Sequence, residues 1–165
     1  MVIRKADTKD LERINEIFNQ AILDKFQVAD LTQWTIEKRQ QWFDERNHEE
    51  YPIYVAEIDD IVVGYANINP YRPGRMAVRQ TAEISCFIDK NCRASGIGKT
   101  LMNFLEPESA KIGIKTLFAI IIDNNDASIK LVEKLGYEKW GHMPNVAVFE
   151  NVEAGHVYYG KRIKK

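Results

Sequence analysis

The stretch TAEISCFIDKNCRASGIGKTLMNFL, residues 81–105, contains the transition that decides the fold. Its first part predicts a strand, KNCRASG predicts a turn, and the residues from Ile97 onward predict a helix. Gly96 and Gly98 lie where the turn enters that helix. The first turn of a helix has unpaired N–H groups and the positive end of the helix dipole. The segment therefore predicts a site for a diphosphate, to which Arg93 can add positive charge.

The letters GIGKT also suggest the phosphate-binding loop of nucleotide hydrolases. That pattern requires a glycine five positions before its second glycine, where this chain has Arg93. No separate strand ending in a magnesium-binding aspartate is evident, and Leu101 stands where the dinucleotide fingerprint requires its third glycine. The pattern that remains is Arg93-x-x-Gly96-x-Gly98, either a phosphate loop of another kind or a tight turn.

Length and composition limit the possible classes of protein. The 165 residues predict one domain, 1–165, and 45% apolar with 28% charged residues is ordinary for a globular protein. The net charge of −1 gives no general attraction to nucleic acid or to an anionic membrane. Two cysteines and three histidines lack the spacing of a metal site. The N-terminus lacks the apolar region of a signal peptide, so we expect a cytoplasmic protein.

The segments on either side give the order of elements. Upstream, the pattern predicts a strand at 2–5, a helix over 11–22, a second helix from Thr35, and a hairpin around Asp59 and Asp60. Downstream, it predicts a helix over 97–113, an apolar strand, a helix over 128–135, and two strands around 151–155. This order indicates an α/β mixture (α+β) with an antiparallel start and a βαβ crossover.

The loop pattern and the segment NNDASIKLVEKLGY, residues 124–137, resemble the two central motifs of the GNAT superfamily of acetyl-CoA-dependent N-acetyltransferases. RPGRMAVRQTAEISCFI, YPIYVAE, GYANI and WGHMPNVAVF resemble its phosphinothricin and methionine sulfoximine acetyltransferase subfamily. The similarity extends from IRKAD to YYGKRI. It implies the GNAT fold, with a mixed central sheet of about six or seven strands, about four flanking helices and a βαβ core that binds acetyl-CoA. It also implies a homodimer.

The resemblance assigns residues to acetyl-CoA. The pyrophosphate would be held by the main-chain amides of Arg93, Ala94, Ser95, Gly96, Ile97 and Gly98. The strand residues Cys86, Phe87 and Ile88 would offer backbone groups to the pantetheine arm, with an N–H near Phe87 for the oxyanion. Asn125 matches an asparagine that contacts this arm, and Ser128 is its neighbour. Helix capping is another use of Asn125 and Ser128, and the two uses are compatible.

The same resemblance assigns the chemistry to Glu83. An attacking amine must lose a proton, and Glu83 would accept it as general base, directly or through water. A solvated glutamate on the outer face of the strand is the alternative. Many relatives carry a Tyr or His where this chain has Val132, so the group that protonates the CoA thiolate is open. The choices left by the sequence are Tyr137, Tyr158, Tyr159 or water.

The loop before Glu83 is the expected acceptor site. Arg72, Arg75, Met76, Ala77 and Val78 would bind the substrate together with Glu83, although a solvated basic loop is the alternative. The expected reaction is acetylation of the α-amino group of a phosphinothricin, methionine sulfoximine or methionine sulfone type of amino acid. The alternatives are another amine, such as a polyamine, an antibiotic or a protein N-terminus, or a non-catalytic module that binds acyl-CoA.

Overall fold

The computed structural model describes residues 1–163 and shows a seven-stranded sheet with helices on both faces. The strands are β1 Val2–Lys5, β2 Ile53–Ile58, β3 Ile61–Pro70, β4 Thr81–Ile88, β5 Thr116–Ile122, β6 Glu138–Phe149 and β7 Val152–Arg162. The helices are α1 Leu11–Leu23, α2 Ile36–Asp44, α3 Ile97–Lys111 and α4 Asp126–Lys134. The strand order is β1-β2-β3-β4-β5-β7-β6. This arrangement confirms the predicted mixed α+β fold.

The helices bury apolar stripes on opposite faces of the sheet. Leu11, Ile14 and Phe18 of α1 recur at helical spacing and pack with Tyr65 of β3. Leu101 and Leu105 of α3 pack on the other face with Ala66, Ile84 and Leu117. We call these the α1/α2 face and the α3/α4 face. Each strand alternates between them, so Glu83, Ser85 and Phe87 point to the α1/α2 face, as Tyr65 does.

The parallel pairing of β4 with β5 is short. It joins Thr81 to Thr116, Ala82 to Leu117 and Glu83 to Phe118, and then ends. Both strands continue, β4 to Ile88 along β3 and β5 to Ile122 along β7. Strands that separate while each keeps its other neighbour leave backbone groups unpaired along the inner edges. The sheet therefore opens into a gap beyond Glu83.

Three element boundaries differ from the sequence prediction. Helix α3 continues through Pro107 but ends at Lys111 rather than at residue 113, because Gly113 takes a φ of 85°. Helix α4 begins at Asp126, since Asn125 caps it. The two strands predicted around 151–155 are present, but the turn between them is shorter and earlier: Phe149 pairs with Val152, which leaves Glu150, with φ 56°, and Asn151.

The edge strand β6 exposes apolar side chains. It pairs only with β7, and its other edge lacks a neighbour within residues 1–163. Four of its large apolar side chains are about half exposed, namely Trp140, Met143, Val146 and Val148. A long exposed edge of this kind can pair with another chain.

Within residues 1–163, no helix is long and apolar enough to cross a bilayer.

Candidate active site

A cavity of about 320 Å³ lies at the gap between β4 and β5. Glu83, Ser85 and Phe87 line it on the α1/α2 face, and Met102 and Val132 line it on the α3/α4 face. The loop after α1, helix α4 and strand β7 complete its wall. Because its lining comes from both faces, the cavity passes through the plane of the sheet. Two molecules entering from opposite faces can therefore meet inside it.

Glu83 lies at the last paired position before the gap. It faces Asn69 across β3 and Phe118 across β5, and its side chain is partly buried in the cavity wall. Burial raises the pKa of the Glu83 carboxyl above its usual value. No hydrogen bond to its side chain is found in the described part of the chain. A carboxylate in this state can accept a proton from a molecule in the cavity.

The turn before α3 leaves helix donors open. Gly96 is the N-cap, with φ 87°, and it supplies no capping side chain. The first intrahelical hydrogen bond in this turn runs from the N–H of Thr100 to the carbonyl of Gly96, at 3.0 Å. The N–H groups of Ile97, Gly98 and Lys99 therefore have no intrahelical acceptor, as expected at a helix N-terminus. Ala94, with φ 59°, and the hydrogen bond from Ser95 Oγ to the Cys92 carbonyl shape the preceding turn.

The Arg93 side chain makes two contacts within the protein. Its Nη1 forms an ion pair with Asp24, at the end of α1, and its Nε donates to the Ile88 carbonyl at 3.3 Å. The guanidinium thus joins the turn to another helix, and Asp24 offsets the charge that a phosphate would meet. The prediction for the main-chain amide of Arg93 does not depend on this side chain and stays a prediction.

The remaining residues assigned to acetyl-CoA lie around the same gap. Asn125 and Ser128 line the cavity, and Asn125 Oδ1 also accepts the Ser128 N–H at 3.1 Å, which caps α4. Cys86 and Phe87 line the cavity, whereas Ile88 lies beyond its lining. Burial raises the pKa of the Cys86 thiol to about 12, so this thiol stays protonated and is a poor nucleophile. Among residues 1–163, no cluster of side chains is arranged to hold a metal ion.

The predicted acceptor loop lines a second cavity, of about 540 Å³. Arg72, Arg75 and Met76 contribute to its wall, and Ala77 and Val78 contribute to neither cavity. Glu83 is outside this second cavity. The two are nevertheless close, because the Tyr71 ring lines the second cavity and its centroid lies 5.2 Å from that of Phe118, the strand partner of Glu83. The structure thus separates the arginines from Glu83, although the loop starts beside it.

The three tyrosines considered as proton donors lie outside the lining of the first cavity. The Tyr137 hydroxyl is buried without a hydrogen-bond partner among the described residues. Tyr158 donates to Met143 Sδ at 3.2 Å, and Tyr159 donates to Glu133 at 2.8 Å. Val132, for which the resemblance implies a Tyr or His, does line the cavity.

Sequence reasoning missed His156, which lines the first cavity from β7. A lone histidine in a late strand has no motif around it. Its position became visible only through the pairing of β7 with β5, where His156 lies opposite Ile122 at the open end of the gap. Alternation along β7 could have placed it on one face, but the sequence does not reveal which face carries the cavity.

Comparisons with known proteins agree with this geometry. Residues 12–137 match the model of the acetyltransferase (GNAT) family. YwnH of Bacillus subtilis (strain 168), provisionally named a phosphinothricin acetyltransferase, is 36% identical over 148 residues, which are 89% of this chain and 90% of that protein. The L-methionine sulfoximine/L-methionine sulfone acetyltransferase of Pseudomonas paraeruginosa (strain DSM 24068 / PA7) is 35% identical over 145 residues, 87% of this chain and 84% of its own.

A solved structure extends the likeness to the whole fold. The structure of YncA from Salmonella typhimurium, provisionally named an acetyltransferase and determined with its cofactor acetyl-CoA, has a TM-score of 0.93 and 28% identity. The match covers 100% of this chain and 95% of that one. The family model spans most of the chain, and both relatives exceed 30% identity over more than four fifths of it. The chain therefore belongs to the GNAT family of acetyltransferases.

Proposed function

We propose that the protein transfers the acetyl group of acetyl-CoA to the α-amino group of a small amino acid of the phosphinothricin, methionine sulfoximine or methionine sulfone type. One observation carries this proposal: Glu83 lines the same cavity as Asn125 and Ser128, at the point where β4 and β5 separate. The activities named for the two curated relatives support the acceptor class.

The gap fits the cosubstrate. The extended pantetheine arm has amide groups, and the edge of β4 that carries Cys86, Phe87 and Ile88 has no pairing with β5 beyond Glu83. The open amides at the start of α3, with Gly96 and Gly98, fit a pyrophosphate without a metal ion. Acetyl-CoA supplies the reactive thioester, and the chain's own residues supply orientation and proton transfer.

Glu83 would act on the acceptor amine. The amine reaches the cavity largely protonated near neutral pH, and the Glu83 carboxylate would take that proton, directly or through one water. The raised pKa of Glu83 favours this step, because a base accepts a proton more readily as its pKa approaches that of the donor. A backbone N–H near Phe87 would stabilise the oxyanion.

The acceptor loop would complete the site. Arg72, Arg75, Met76, Ala77 and Val78 are proposed to contact the acceptor, supported by the position of Tyr71 beside Phe118. Guanidinium groups bind carboxylate, phosphinate or sulfonyl oxygens well. Within residues 1–163, Arg72 and Arg75 form no ion pair, so their charges are available to the acceptor.

A second copy of the chain is proposed to cover the exposed edge of β6, giving a homodimer.

The test is acetylation of a panel of amines by the wild type and Glu83→Gln. The reaction is monitored by the release of CoA and by the mass of the product. We expect release with methionine sulfone, methionine sulfoximine or phosphinothricin, and a kcat/KM about 10² to 10⁴ times lower in Glu83→Gln. The affinity for acetyl-CoA, measured by calorimetry, should be the same in both proteins. Absence of CoA release with every amine would leave a binding module, and release with polyamines alone would change the acceptor class.

A further inference from the structure

The side chain of His156 projects into the cavity from the same face as Glu83. Glu83 pairs with Phe118, and Ile122, four residues further along β5, pairs with His156. Residues an even number apart on a strand share a face, so all four side chains point to the α1/α2 face. The cavity lining contains both Glu83 and His156. An acceptor that contacts Glu83 on this face therefore also lies within the cavity lined by His156.

The cavity lining contains few ionisable side chains. Its ionisable lining consists of Glu83, Cys86 and His156, without a lysine or an arginine. The Cys86 thiol is held neutral by burial, and Glu83 repels another carboxylate. An amino acid brings its carboxylate on the same carbon atom as its amine, so the carboxylate enters with the amine. Of the side chains lining the cavity, His156 is the one that can carry positive charge.

His156 also differs from the other histidines in its contacts. His142 Nε2 lies 3.0 Å from Asp123 Oδ2, and His48 Nε2 lies 2.9 Å from the Phe43 carbonyl. Hydrogen bonds to the His156 ring are absent within residues 1–163. Its nearest partner on β6, Met143, receives the hydroxyl of Tyr158 instead. The ring nitrogens of His156 are thus available to a ligand.

The spacing of the two side chains suits an amino acid. Four residues, or about 13 Å at the rise of a strand, separate the row of Glu83 and Phe118 from the row of Ile122 and His156, and β4 and β7 lie about 10 Å apart on either side of β5. The resulting separation of roughly 16 Å between the two backbone positions accommodates the two side chains and an α-amino acid between them. The amine would then face Glu83 while the carboxylate faces the imidazole.

We propose that His156 binds the carboxylate of the acceptor amino acid. The proposal rests on the proposed function and deepens it, because it assigns the α-carboxylate to β7 and leaves the acceptor's side chain to the loop of Arg72 and Arg75. An imidazole N–H donates to a carboxylate oxygen, and protonation of the ring adds charge to that hydrogen bond.

The experiment compares methionine sulfone with its primary amide, which keeps the amine but lacks the negative charge. In His156→Gln and His156→Leu we expect the KM for methionine sulfone to rise about 10-fold to 100-fold, as for loss of a hydrogen bond to a charged group. The KM for the amide should change less than about 3-fold. The kcat should change less than about 2-fold with either substrate. His142→Gln, the same substitution on the other face of the sheet, is the matched control and should keep the wild-type KM values.

A binding measurement separates this proposal from the proposed function. The C2–H resonance of His156, assigned with His156→Gln, should shift when methionine sulfone is added to the CoA-bound enzyme and stay in place with the amide. Equal losses with acid and amide, or an unshifted resonance, would overturn the assignment. A selective loss for the acid in Arg75→Gln instead of His156→Gln would move the carboxylate to the loop. CoA release by no amino acid, together with a shifted resonance, would refute the transfer but keep the carboxylate site.

Discussion

At the scale of the residue, Glu83 is a carboxylate held where ionisation is unfavourable. Burial raises its pKa, and no described side chain compensates the charge. In the unfolded chain its carboxyl titrates near the usual value of about 4.3. The folded state therefore binds the proton more tightly, and the resulting stability is present below the unfolded pKa and lost as the pH rises through the folded pKa. At neutral pH the ionised Glu83 destabilises the fold.

Replacing Glu83 with Gln should therefore raise the Tm at pH 7 by about 1 to 4 °C, because the neutral amide has a smaller desolvation cost. At pH 4 the difference should shrink, since wild-type Glu83 is then largely protonated. Thermal unfolding at both values, followed by calorimetry, measures the effect. A lower Tm for Glu83→Gln at pH 7 would mean that the carboxylate has a stabilising partner.

Sequence motifs allow some site residues to be predicted and leave others out. Glu83, Gly96 and Asn125 could be proposed from the sequence because each belongs to a recognisable local pattern. The ion pair of Arg93 with Asp24 could not, because the two lie 69 positions apart and meet only after α1 packs on the sheet. His156 was missed for the same reason, since its neighbour Ile122 comes from a different part of the chain.

At the scale of the element, the start of α3 combines a left-handed glycine with open amides. Gly96 has φ 87°, and a Cβ there would meet no atom within 4 Å. A side chain at this position is therefore opposed by backbone conformation and not by crowding. Gly136, just after α4, has φ 80° and equally open surroundings, so the chain contains a matched position away from the phosphate turn.

Gly96→Val should weaken acetyl-CoA binding about 10-fold, because the turn must change its φ and move amides that would hold the pyrophosphate. Gly136→Val should destabilise the fold to a similar degree and leave the dissociation constant unchanged. Isothermal calorimetry with acetyl-CoA, combined with thermal unfolding, separates the two effects. Unchanged affinity in Gly96→Val would contradict the assignment of this turn.

The elements themselves were largely predictable. Helical spacing in α1 and the strand, turn and helix of residues 81–105 are local patterns, and the structure confirms them. The position of the last turn was not, because residues 151–155 contain turn-forming types but β6 and β7 pair almost to the tip. Pairing over two long strands here outweighs local preference.

At the scale of the whole molecule, the two edges of the sheet differ. β1 has four residues, whereas β6 has twelve and exposes Val146 and Val148. The length and apolar character of β6 favour it as the surface for a second copy, and this asymmetry followed from the strand order, which the sequence alone did not provide. The expectation that residues 1–165 form one domain stays a prediction.

Light scattering after gel filtration should give a wild-type mass near twice 19.1 kDa. Val148→Glu should shift the mass toward that of one chain, because it places a charge on the exposed face of β6. Val2→Glu introduces the same charge at an exposed position on β1, the opposite edge, and should leave the mass unchanged. A wild-type mass of 19.1 kDa, or equal effects of both changes, would contradict the dimer.

The short pairing of β4 with β5 leaves two groups of strands that are joined by few backbone hydrogen bonds. Within residues 1–163, strand pairing between β1 to β4 and β5 to β7 is limited to three positions, ending at Glu83 and Phe118. Beyond this point the two groups are joined by packing, since Leu101 and Leu105 of α3 pack with Ile84 of β4 and Leu117 of β5. A ligand in the gap would act as the missing strand, so we expect the continuity of the sheet to be completed by the molecule that the enzyme consumes.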